Sequence, residues 1–93
     1  MDIPAPRSIA LGRIVATANA ISTLCEPDII IALRRHQAGD WGDLCPDDKA
    51  ANDLAVLDGS RLLSAYTSES GVKFWIITES DRSITTILLP EDY

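Results

Sequence analysis

The segment Val72–Glu79 constrains the fold of this chain more than any other. Ser68-Glu69-Ser70-Gly71 supplies a turn before it, and Ser80-Asp81-Arg82-Ser83 supplies one after it. Side chains of an extended strand alternate between the two faces of a sheet. Phe74 and Ile76 therefore point one way, and Trp75 and Ile77 the other. A strand with one wet face alternates apolar and polar residues, whereas this one is apolar on both and has to be covered twice. Arg61–Thr67 before it, and Ile84–Leu89 after it and stopped by Pro90, read as its neighbours. Two tight connections in a row predict a C-terminal three-stranded antiparallel meander with Val72–Glu79 in the middle. The second face calls for helices, the N-terminal strand region or a second copy of the chain, so a homodimer enters as one expectation.

Upstream of Gly59 the hydrophobic period is helical. Pro27 sits where a missing N–H costs nothing, and Ile29, Ile30, Leu33 and Gln37 follow at helical spacing. Arg34, Arg35 and His36 fall in the last turn, where cations suit the helix dipole, and Gly39 ends it. Pro46 opens another helix with Asp47 and Asp48 in its first turn; Ala50, Ala51, Leu54, Ala55 and Leu57 give it a small apolar face, and Gly59 ends it. Leu11–Ala16 reads as a short strand, Thr17 as an N-cap and Ala18–Cys25 as a short helix. Residues 1–8, with Pro4 and Pro6, read as an extended arm. The expectation is a single α+β domain over residues 1–93, with a short N-terminal strand or arm, three helices and then the meander.

Ninety-three residues bury about two-thirds of the surface of the unfolded chain, so the stability margin is thin. The net charge of −6 is unevenly spread. Residues 1–39 sum to +1, 59–93 to −2, and 40–58 to −5, with six aspartates against Lys49. An acidic block repels phosphates, which disfavours direct nucleic-acid binding and favours a partner with a basic surface. Cys25 and Cys45 belong to no CxxC or Cys/His ligand pattern; they read as reduced thiols of a cytoplasmic protein, with no metal or cofactor expected. Gly12 and Arg13 interrupt the apolar stretch that would make a signal peptide, and no apolar run is long enough to span a membrane.

His36-Gln-Ala-Gly-Asp-Trp-Gly-Asp43, Lys49-Ala-Ala-Asn52, Leu62-Leu-Ser-Ala-Tyr66 and the run from Lys73 to Tyr93 together carry a likeness. Over about two-thirds of its length the chain resembles small "plasmid-related" proteins of bacterial plasmids, phages and integrated elements, some labelled as restriction-system subunits. Cys45 departs from that pattern, which carries an acidic residue there. The resemblance implies a mobile-element context and no settled biochemistry. By analogy of context and charge, it points to an inhibitor of host defence of the anti-CRISPR or antirestriction type.

The candidate binding residues are Asp40, Trp41, Asp43, Asp47 and Asp48 in the acidic loop and helix, with Glu79, Asp81 and Arg82 at the second turn. His36 with Asp40 and Asp43 has the residue types of a general base with carboxylate partners, or of a metal site, yet lacks a nucleophile or fourth ligand; the alternative is a helix end and two turn-forming aspartates. Trp41 is either an aromatic anchor for a partner or a side chain that closes the core. At the second turn, Asp81 bonding its own backbone and Arg82 pairing with Glu79 is the structural alternative to a binding cluster. The acidic block is either a solvated helix face or a mimic of a phosphate backbone. A small toxin-like nuclease using His36, Glu79 and Arg82 is the competing enzymatic reading; the chain's acidity opposes it, since RNA-binding toxins are basic.

Overall fold

The computed structural model describes residues 9–93, so the expected arm at residues 1–8 lies outside the described residues. The elements run β1 (Arg13–Ala16), α1 (Ala18–Thr23), α2 (Glu26–Gln37), α3 (Pro46–Asp58), β2 (Leu62–Thr67), β3 (Lys73–Thr78) and β4 (Ile84–Leu88), followed by a 3-10 turn at Pro90–Asp92. The fold is α+β with three helices. The sheet corrects the expected three-stranded antiparallel meander: it is four-stranded and mixed, in the order β1-β4-β3-β2. β1 runs parallel to β4, from Arg13 opposite Ile84 to Ala16 opposite Ile87. The arrangement depends on Gly12, whose φ is 62°; a Cβ there would overlap the carbonyls of Arg82 and Ser83, so glycine lets β1 reach the β3–β4 turn. Arg13 N–H then donates to the Ser83 carbonyl and Thr17 N–H to that of Ile87.

β3 lies between β2 and β4, antiparallel to both. On its inner face Phe74 and Ile76 are buried with Ala20 and Leu24 of the α1 region, Ala32 of α2, and Tyr66, Ile87 and Leu89. Each large side chain enclosed in this way contributes about 1.5–3 kcal/mol. A second cluster joins Ile9, Trp41, Ala55 and Leu62 between α3 and the start of β2. On the outer face Ile77 and Leu88 are also buried. Tyr93, carried back by the 3-10 turn, packs edge-on against Trp75 with ring centroids 5.7 Å apart. Arg61 donates to the Tyr93 hydroxyl at 2.5 Å. Asp92 holds this turn in place by accepting from Thr17 Oγ1 and Asn19 Nδ2, both at 2.6 Å.

The β2 edge is built over. The Asn52 side chain accepts from Leu63 N–H and donates to its carbonyl. The Trp41 carbonyl accepts from Ala65 N–H, and Asp43 N–H donates to the Ala65 carbonyl. Gly42 makes this approach with φ 76°; a Cβ there would overlap the Ala65 carbonyl. An edge strand whose main chain is paired in this way is closed to strand addition.

Candidate functional site

The acidic loop, the helix that follows it and the second turn hold every candidate binding residue, and the structure separates them by role. Asp40 receives two hydrogen bonds from Arg35, at 2.7 and 3.2 Å, and accepts from Gly42 N–H. Arg35 holds the Asp40 carboxyl below its ordinary range. Asp43 accepts from Thr67 Oγ1 at 2.8 Å. Both carboxylates shape the loop as they reach solvent. Trp41 is 3% exposed and donates from Nε1 to Asp53 at 3.0 Å. It closes the core, which corrects its inclusion among the partner-facing residues.

Asp47 and Asp48 stand exposed in the first turn of α3, where they complement the helix dipole. The second turn sits at the other end of that helix. Asp81 accepts from Ser83 N–H and Oγ, the local closure expected of it. In place of the expected pairing with the Glu79 carboxylate, Arg82 engages main-chain carbonyls. The guanidinium donates to the carbonyls of Glu79, Ser60 and Ala55 at 3.2, 2.6 and 3.0 Å. Arg82 thereby caps the C-terminus of α3, at a φ of 60° that is unusual for a residue with a Cβ. Thirteen helical residues span about 20 Å, so the two candidate clusters form separate places.

His36 departs furthest from expectation. It is neutral and wholly buried, packed edge-on against Trp41, with burial and the charge of Arg82 pushing its pKa down to about 4. Nδ1 meets Ser64 Oγ at 2.5 Å and Nε2 meets Thr78 Oγ1 at 2.8 Å. Thr78 Oγ1 lies 2.8 Å from Thr85 Oγ1, which donates to the Leu11 carbonyl. A carbonyl only accepts, so the direction of the whole chain follows. Thr85 spends its hydrogen on Leu11, Thr78 donates to Thr85, His36 donates from Nε2, and Ser64 donates to Nδ1. A serine donating to a histidine is the arrangement of an activated nucleophile, but both side chains are 0% exposed. The cluster of His36, Glu79 and Arg82 imagined for a nuclease is not assembled: His36 is sealed in, and Arg82 is bound to carbonyls. The signal for the relay was present in the chain, since Ser64, Thr78 and Thr85 share strand parity with the inward Leu62, Ile76 and Ile87.

The outer side of α3 is open to a partner. Asn52 and Ala55 face the protein, whereas Ala50, Leu54 and Leu57 occupy the opposite side. Leu54 is 64% and Leu57 84% exposed. Asp47, Asp48 and Asp58 are exposed along the same helix. Among the described residues no group of His, Cys, Asp and Glu is placed to hold a metal ion, and no helix is long and apolar enough to cross a membrane. No protein-family model, curated protein or solved structure matches the chain at a significant level.

Proposed function

We propose that this protein is a binding module that docks through the outer side of α3 onto a basic surface of a partner protein. The observation that carries the reading is the pair Leu54 and Leu57, exposed one turn apart on a helix bearing Asp47, Asp48 and Asp58. Leucines set singly on a surface need no explanation, but an apolar stripe with a charged border is how a helix presents itself to a complementary surface. The apolar pair supplies binding energy, and the carboxylates steer the approach and reject acidic surfaces. By analogy of context and charge, the partner is a host-defence effector, because such effectors carry basic nucleic-acid channels.

The test mixes the purified chain with CRISPR and restriction effectors and follows complex formation by size-exclusion chromatography and effector activity. The expected result is a complex with one of them, weakened at least tenfold by Leu54→Ser with Leu57→Ser, and likewise by Asp47→Lys with Asp48→Lys. No complex with any effector removes the host-defence target. A complex indifferent to both pairs of substitutions removes the α3 surface.

A further inference from the structure

α2 is apolar all the way round over Ile29–Leu33. Ala32 is buried, and Ile29 and Leu33 pack against the core. Ile30 and Ile31 point away from it, 41% and 57% exposed. β-branched residues are weaker helix formers than the Ala, Glu or Lys that a solvated position would favour, so helix formation does not account for them. Ile30 lines one surface depression and Ile31 two, and a further depression adjoins both of these. The first is lined by Glu26, Pro27, Ile30 and Ile31, and the second by Cys25, Pro27, Asp28, Glu69 and Ser70. The third reaches Ile31, Asp28, Arg35 and Phe74. Pro27 is common to the first and second, Asp28 to the second and third, and Ile31 to the first and third, so the three adjoin as a shallow groove that runs from the exposed side of α2 to the β2–β3 turn. Its rim is acidic, with Glu26, Asp28 and Glu69. The one cation lining it, Arg35, is engaged by Asp40 and lies 4.8 Å over the Tyr66 ring.

We infer that this groove binds a linear peptide segment of a partner in which an apolar side chain is flanked by lysine or arginine. The apolar floor formed by Pro27, Ile30 and Ile31 takes the hydrophobic side chain, and the three carboxylates pair with the flanking cations. An acidic segment would be repelled, and a purely apolar one would leave the rim carboxylates without counter-charges. The groove lies on α2, apart from the exposed side of α3, and the inference does not depend on the reading of α3.

The test titrates the full-length protein carrying Leu54→Ser and Leu57→Ser, which removes the α3 stripe, with an amphipathic leucine–lysine peptide. A leucine–glutamate peptide of the same pattern and a lysine peptide without leucine are the controls. Binding is read by fluorescence anisotropy and by amide chemical shifts at physiological salt. The expected result is saturable binding of the leucine–lysine peptide alone, with shifts confined to residues 26–35 and 66–71. Ile30→Ser with Ile31→Ser weakens it at least tenfold. Glu26→Lys with Glu69→Lys, which alters no core contact, does the same and keeps the test decisive if the isoleucine variant folds poorly. No binding, equal binding of the lysine-only peptide, or shifts scattered over the acidic surface would overturn the inference.

Discussion

At the scale of single residues, His36 sets the acid response of the protein. Its folded-state pKa of about 4 lies below the ordinary 6.5, so the folded protein resists binding a proton that the unfolded chain accepts. The stability this represents is fully present above pH 6.5 and is lost as pH falls towards 4. A gap of this size corresponds to about 3 kcal/mol. Asp40 and Asp92 are held below the usual carboxylate range, so their contributions fade only below that window. Urea denaturation at a series of pH values is expected to show a one-proton slope between pH 6.5 and 4. The slope is abolished by His36→Gln, which offers an acceptor to Ser64 and a donor to Thr78 without titrating. His36→Ala strands both hydroxyls and opens a cavity, and is expected to cost about 2–4 kcal/mol at neutral pH. An undiminished slope in His36→Gln would show that another group carries it. Little of this was legible in the chain. Helical periodicity placed His36 in a last turn among two arginines, which reads as a dipole-facing cation. Its burial depends on Ser64, Thr78 and Thr85 arriving from three strands distant in sequence. Trp41 and Arg82 were ambiguous for the same reason: a loop tryptophan and a turn arginine take their direction from what folds opposite them, α3 in both cases.

At the scale of elements, local chemistry was the better guide. The helices over Glu26–Gln37 and Pro46–Asp58, and the strands β2 to β4, lie close to where the change of period, the prolines and the turn residues put them. The pairing of β1 was not readable, because a parallel strand meets its partner through no local turn and depends on the space at Gly12. α3 illustrates how an element can be well formed yet lightly held. It buries only Asn52 and Ala55 and is pinned at three points, by Asn52 on the β2 edge, by Asp53 to Trp41 Nε1, and by Arg82 at its C-terminus. Its amides are therefore expected to exchange with deuterium faster than those of β3, which is bonded on both sides. Asn52→Ala leaves Leu63 N–H and C=O without their partners and is expected to cost about 2 kcal/mol, with faster exchange confined to α3 and β2. Arg82→Ala is expected to accelerate exchange in the last turn of α3 alone. Uniform acceleration across the sheet in either variant would mean that α3 unfolds only with the whole domain.

At the scale of the whole molecule, the doubly apolar strand is covered from within the chain on its inner face and in part on its outer one. α1 and α2 cover the inner face, and on the outer face the C-terminal turn brings Tyr93 onto Trp75. The closure is held by few contacts. Tyr93 is itself 68% exposed, and the turn is anchored by Asp92 to Thr17 and Asn19 and by Arg61 to the tyrosine hydroxyl. Removing residues 90–93 takes away the ring and both anchors, while the strands and helices keep their own hydrogen bonds. The truncated protein is thus expected to fold with Trp75 laid bare beside Ile77 and Leu88, an apolar surface on the outer face of the sheet. Such a surface is most simply covered by its equal on a second copy. Light scattering at matched concentrations is expected to give a higher mass for the truncated chain than for the full one, with tryptophan emission shifted to the red at low concentration and back to the blue as copies associate. Asp92→Asn, which keeps Tyr93 but weakens the anchor, is expected to fall between them. If truncation changes neither mass nor emission, the turn is not what shields Trp75, and the cover has to come from elsewhere in the chain.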